Sequence, residues 1–199
     1  AAEVLKKVFR NKNFETSIIE TRGFEKLDPR DKSFVRLIVL ETLRHNGQID
    51  FIISKFLKKP MKSKNNFIEN LLRISVSQIL YLDIAEYSVV NSAVEISKKY
   101  NLSKFVNALL RNVCREKENL QKKISEEKNI PDWIKKDIID FFGTKILEDI
   151  SKTITKEPYL DIKIKSQSYS ERKWGKLFGG FEILRETLRI KNQGNISEL

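Results

Sequence analysis

The sequence predicts a mainly α fold: an all-helical bundle over residues 1–128, then a small α+β region over residues 129–199. Three observations carry that reading. Apolar residues recur at helical spacing through the first part of the chain. Residues 1–130 hold two glycines and two prolines, whereas the shorter stretch 131–199 holds five and two, so turn-forming residues concentrate late. After Pro158 the period drops to two, with Leu160, Ile162 and Ile164 alternating against Asp161, Lys163 and Lys165, as in a half-buried strand. At 199 residues and 40% hydrophobic content, the chain is long enough for one ordinary domain and a small one.

In order, Val4, Leu5, Val8 and Phe9 mark one face of a first helix over Ala2 to Arg10. A second follows around Phe14, Ile18 and Ile19, with Gly23 ending or bending it. Asp28-Pro29 reads as an N-cap followed by proline at the first helical position, with Asp31 favourable near the positive helix end. The long helix that follows has apolar residues on more than one side and is expected to stop at Asn46-Gly47. His45, the one histidine, reads as a helix-end residue.

Ile49, Ile52, Ile53, Phe56 and Leu57 make the next amphipathic helix, which runs into Lys55, Lys58, Lys59, Lys62 and Lys64 around Pro60. From Asn65 to Asp83 the pattern is apolar nearly all round, as in a buried helix, and Tyr81 and Tyr87 read as finishing the core, base stacking being the alternative. Ser88 is expected to cap a helix that packs through Val90, Ala93, Val94 and Ser97.

Phe105 to Val113 sorts its residues most sharply. Val106, Leu109, Leu110 and Val113 follow the spacing of a buried stripe, while Lys104, Arg111 and Arg115 share another face. Ser103 is expected as its N-cap, and the helix to continue to about Ile124. Cys114, the sole cysteine, excludes an internal disulfide and reads as a small buried hydrophobe.

Beyond residue 130, Pro131 opens a helix expected to bury Trp133, Ile138, Phe141 and Phe142 before Gly143, and Ile146, Leu147, Ile150 and Ile154 mark another. The strand after Pro158 is followed by a short helix with Trp174, Leu177 and Phe178. A turn at Gly179-Gly180 and strands over Phe181 to Leu184 and Thr187 to Lys191 complete a partial ferredoxin-like unit.

The net charge of +11 is uneven: residues 1–128 hold 25 basic and 16 acidic side chains, the remaining 71 only 13 and 11. An anionic partner is therefore drawn mainly to the first part, nucleic acid leading, although an A/T-rich genome would also raise the lysine count. The candidate RNA-binding residues are Lys55, Lys58, Lys59, Lys62, Lys64, Lys104, Arg111 and Arg115. They form one patch only if the lysine segment and the cationic helix face converge in space; otherwise each is solvated surface. No catalytic set stands out, since one histidine and one cysteine leave no multi-histidine metal site and no freedom for a Ser-His-Asp triad. No apolar run approaches the length of a membrane span, no signal peptide precedes the first helix, and a cytoplasmic, monomeric protein is expected. The start at Ala1-Ala2-Glu3 and the end at Gly194 to Leu199 read as those of a piece of a longer protein.

Phe105 to Val113, together with Asp28-Pro29-Arg30-Asp31 leading into Leu40-Glu41-Thr42-Leu43-Arg44, and Gln78-Ile79-Leu80-Tyr81 before Val90-Asn91-Ser92-Ala93-Val94, resembles the helical NusB-type RNA-binding domain over roughly residues 1–125. That domain occurs alone and at the front of the Sun/RsmB ribosomal RNA cytosine methyltransferases. Pro131-x-Trp133 and the strand from Asp161 to Lys165 resemble the entry to the linking region of those enzymes. The resemblance implies a parent protein that methylates carbon 5 of cytosine in small-subunit ribosomal RNA. It would use S-adenosylmethionine, a cysteine nucleophile and a second cysteine, all outside this chain. A stand-alone NusB antitermination factor and a protein-interaction module are the alternatives.

Overall fold

The computed structural model describes residues 1–11, 13–57, 59, 61, 66–165 and 171–190. It divides into two compact units, Ala1–Thr155 and Lys156–Leu199. The first is all-helical among the described residues: α1 Ala2–Asn11, α2 Phe14–Ile19, α3 Pro29–Arg44, α4 Asn46–Lys55, α5 Asn66–Leu80, α6 Glu86–Ser97, α7 Ser103–Arg115, α8 Lys117–Lys123, α9 Asp132–Phe142 and α10 Thr144–Ile154. Single 3-10 turns lie at Lys98–Tyr100 and Glu126–Asn129.

Helix α5 is the axis, in contact with α1, α3, α4, α6 and α7. Its Ile68, Leu72, Val76 and Ile79 are fully enclosed, each burial worth about 1.5–3 kcal/mol. Two of its polar side chains are satisfied in place: Ser75 Oγ donates to the Leu71 carbonyl at 2.8 Å, and Arg73 pairs with Asp50 at 2.7 Å and Glu69 at 2.8 Å. The expected cap of α3 is present, with Asp28 Oδ1 accepting from the Asp31 amide at 2.8 Å.

Several boundaries differ from the sequence reading. Asn46-Gly47 opens α4 rather than stopping α3. Gly47 is there because a Cβ would sit 1.7 Å from the Lys128 carbonyl oxygen, so the 3-10 turn at Glu126–Asn129 lies directly on the α4 backbone. A polar hub fastens this contact. Gln48 donates its backbone N–H to Asn129 Oδ1 at 2.9 Å and its Nε2 to the Ile124 carbonyl at 3.1 Å, and its Oε1 accepts from Asn129 Nδ2 at 3.0 Å. His45, at the α3–α4 junction as expected, lies between Gln48 and Glu41 and stacks on Tyr81 at 3.7 Å.

Ser103 is the first helical residue of α7, not its cap, because the chain turns through Asn101 at φ 56° and the Val106 amide bonds the Leu102 carbonyl. Ser88 likewise lies inside α6, which starts at Glu86 after Ala85. Helix α7 ends at Arg115, and α8 is separate. The largest departure is α9. Trp133, Phe141 and Phe142, expected to be buried, are exposed, and no residue of α9 is fully enclosed.

In the second unit, β1 Leu160–Lys163, β2 Gly180–Leu184 and β3 Thr187–Ile190 form an antiparallel sheet of order β1-β3-β2, with helix α11 Glu171–Phe178 between β1 and β2 in the chain, as the partial ferredoxin-like reading requires. Leu188 and Ile190 are buried from β3. Asp161 and Arg189 are paired across β1 and β3, their forked hydrogen bonds both 2.8 Å. The Arg189 hydrogen bond holds the Asp161 carboxyl below its usual range.

Candidate nucleic-acid interface

Helix α7 owes its position to the stripe read from the sequence. Val106, Leu109, Leu110 and Val113 are buried, and the helix packs on α6 and α5. With that side fixed, the 100° step between residues turns Lys104, Arg111 and Arg115 to solvent, where all three are exposed. None is ion-paired among the described residues. Uncompensated guanidinium groups are available to an anion at little desolvation cost.

Arg111 and Arg115 form one wall of a groove of about 380 Å³ between α6 and α7. Arg111 Nε donates to Asn107 Oδ1 at 3.0 Å, one turn back on the same helix, which steadies the guanidinium along the groove. The opposite wall comes from α6, where Tyr87 and Asn91, four residues apart, stand on the same face. Tyr87 is 80% exposed, so it does not finish the core; Tyr81, stacked on His45, does. Glu86 also lines the groove, with the Lys117 ammonium 3.7 Å away.

Cys114 lies at the groove floor, half-buried. Burial pushes its thiol up to about 11, and the neighbouring Glu86 carboxylate adds to the shift by charge and hydrogen bonding. A thiol so raised is protonated at neutral pH and is no nucleophile.

The described lysines of that segment, Lys55 and Lys59, stand apart from this groove. Lys55 is exposed in the last turn of α4, and Lys59 is exposed on a different groove with Asp50, Glu69 and Arg73. Lys58, Lys62 and Lys64 lie outside the described residues. Among the described residues the two basic groups therefore do not line one groove. Sequence reasoning missed Asn91 and Asn107, although their spacings to Tyr87 and Arg111 put each on the groove side of its helix.

The NusB family profile matches residues 1–115, more than half of the chain. The chain belongs to the NusB family. Among relatives, this NusB-family chain is 27% identical over 164 residues to the "Probable ribosomal RNA small subunit methyltransferase B" of Bacillus subtilis (strain 168), covering 76% of this chain and 36% of that protein. The protein of the same name from Synechocystis sp. (strain ATCC 27184 / PCC 6803 / Kazusa) is 26% identical over 174 residues, 81% of this chain and 39% of its own length. The "Transcription antitermination protein NusB" of Thermodesulfovibrio yellowstonii (strain ATCC 51303 / DSM 11347 / YP87) is 34% identical over 114 residues, 53% of this chain and 76% of that protein. The chain thus spans little more than a third of the methyltransferases it matches, corresponding to their N-terminal part.

Gly179-Gly180, the one pair of adjacent glycines, follows α11 and leads into β2, so it is not a strand-to-helix cofactor loop. A cofactor loop needs glycines that let backbone approach a ligand at a strand-to-helix turn. Gly179 is a turn residue at φ 64°, and Gly180 leads into β2, where a Cβ would meet the Arg189 carbonyl oxygen at 2.6 Å. Its missing side chain accommodates the sheet. No group of three or more His, Cys, Asp or Glu side chains among the described residues is arranged to hold a metal ion, and no described helix is long and apolar enough to cross a membrane.

Proposed function

We propose that this chain is the RNA-binding front of a longer, S-adenosylmethionine-dependent ribosomal RNA (cytosine-5)-methyltransferase, and that it holds structured RNA, small-subunit ribosomal RNA in particular, for a catalytic domain elsewhere in the protein. One observation carries the choice of parent: the similarity to the methyltransferases covers 76% of the chain, beyond what residues 1–115 alone provide. The exposed Lys104, Arg111 and Arg115 support the binding role, because cations without an ion pair among the described residues attract phosphate and release its counterions. Lys55, Lys58, Lys59, Lys62 and Lys64 belong to this reading as a second basic contact along a longer RNA. A monomer in the cytoplasm fits it.

A stand-alone antitermination factor is the second reading, favoured by the 76% of the Thermodesulfovibrio yellowstonii protein that the match covers. The full-length protein purified from its source separates them. Methyl transfer from S-adenosylmethionine to carbon 5 of a small-subunit ribosomal RNA cytosine is expected. A full-length protein that binds RNA but lacks a catalytic domain would favour the second reading, and one that binds no RNA would leave a protein-interaction module.

A further inference from the structure

We infer that the groove between α6 and α7 receives an unpaired nucleotide of the bound RNA, its base stacked on Tyr87 and its phosphates held by Arg111 and Arg115. This rests on the RNA-binding reading and names what that site recognises.

Tyr87 is 80% exposed, has no ring contact or side-chain hydrogen bond among the described residues, and stands on a groove rather than on open ground. The ring offers a flat apolar face of the kind on which bases stack, and stacking is tolerant of base identity because every base has a π-face. Across the groove, Arg111 and Arg115 occupy successive turns of α7, a spacing that follows an anionic backbone. Two carboxamides complete the set. Asn107 Oδ1 is occupied by Arg111, leaving its Nδ2 donors for a base edge, and Asn91 has both amide functions without a partner among the described residues.

Paired RNA does not suit this arrangement. In a duplex the bases face each other inside the stack, and a protein meets mostly phosphates and 2′-hydroxyls; an aromatic side chain and carboxamides recognise a base only when it is splayed out. The groove of about 380 Å³ is the size of a small-molecule site, enough for one nucleotide and not for a helix of RNA. The one acid present, Glu86, is offset by Lys117 at 3.7 Å, so the lining stays net positive.

The test is a titration of the chain with two fluorescent RNAs of equal length, a hairpin with an unpaired loop and a blunt duplex. The parent, Tyr87→Ala, Tyr87→Phe and Arg111→Glu are compared, each with a melting curve. The parent is expected to prefer the hairpin. Tyr87→Ala should lower hairpin affinity about 5- to 150-fold and leave duplex affinity unchanged, Tyr87→Phe should retain the parent value, and Arg111→Glu should weaken both RNAs. If Tyr87→Ala binds the hairpin as the parent does while Arg111→Glu is weakened, RNA binding stands and the nucleotide site falls. Equal affinity of the parent for hairpin and duplex also overturns the site, and a parent that binds neither RNA overturns both readings. Photo-crosslinking of 5-iodouridine in the loop to parent protein provides a measurement independent of mutant folding. The adduct is expected on Tyr87, and adducts confined to other residues contradict the placement.

Discussion

Helix α7 encloses Val106, Leu109, Leu110 and Val113 against its neighbours, whereas α9, with an equally apolar sequence, leaves Trp133 72% and Phe141 78% exposed. The two helices have similar lengths and sit in the same compact unit. They differ in what covers them. Helix α7 lies against α5 and α6, while α9 has mainly α10 beside it, and α10 in turn reaches the 3-10 turn at Glu126–Asn129. A stripe at helical period says that a helix has a side to bury; it does not say that the chain supplies a cover. The exposed side of α7 is cationic and borders a polar groove, so solvent or an anion satisfies it. The exposed side of α9 is apolar.

Truncating side chains in the two stripes has very different expected costs. Leu109→Ala should cost about 2–5 kcal/mol, measured by denaturant unfolding, because the enclosed site cannot collapse fully around the lost atoms. Gly47→Ala should cost about 1–3 kcal/mol or more, since the new methyl meets backbone rather than a movable side chain. Asp28→Ala should cost about 0.5–2 kcal/mol through loss of the α3 cap. Phe141→Ser should change stability by no more than about 0.5 kcal/mol, as substitutions on exposed surface usually do. A loss at Phe141 equal to that at Leu109 would mean that α9 is covered in solution, and the contrast would disappear.

A smaller effect sharpens the description of the α7 groove. Iodoacetamide should modify Cys114 slowly in the folded chain at pH 8, with the rate climbing toward a midpoint near pH 11. The urea-unfolded chain should show its midpoint near pH 9, the ordinary thiol value. Coincident profiles would show that burial and Glu86 do not act on the thiol.

Local chemistry was readable from the residues themselves. Asp28-Pro29 specifies a helix start through one side chain and one ring, and the α7 stripe and the β1 alternation follow from spacing alone. Non-local contacts were not. Gly47 reads as a helix stop in sequence, yet its role is set by Lys128, eighty-one residues later, lying on the α4 backbone. Trp133 fails for the same reason: aromatic content does not tell whether a partner surface exists. Half of the candidate site was legible, because Arg111 and Arg115 follow from the opposite face of a recognisable stripe. Tyr87, Asn91 and Asn107 acquire meaning only when α6 is laid beside α7, and the convergence of the lysine segment with that face was a spatial question that periodicity does not answer.

Binding of RNA phosphate by Arg111 and Arg115 is the proposal on which this interface rests. It is tested most directly by the slope of log affinity against log salt, for a hairpin RNA and the parent chain, and again for the Arg111→Glu, Arg115→Glu double variant. The parent should lose affinity steeply with salt, and the double variant should bind more weakly with a slope shallower by about 1.4 to 1.8, the share of two phosphate contacts. A flat slope for the parent, or an unchanged slope in a folded double variant, would contradict it.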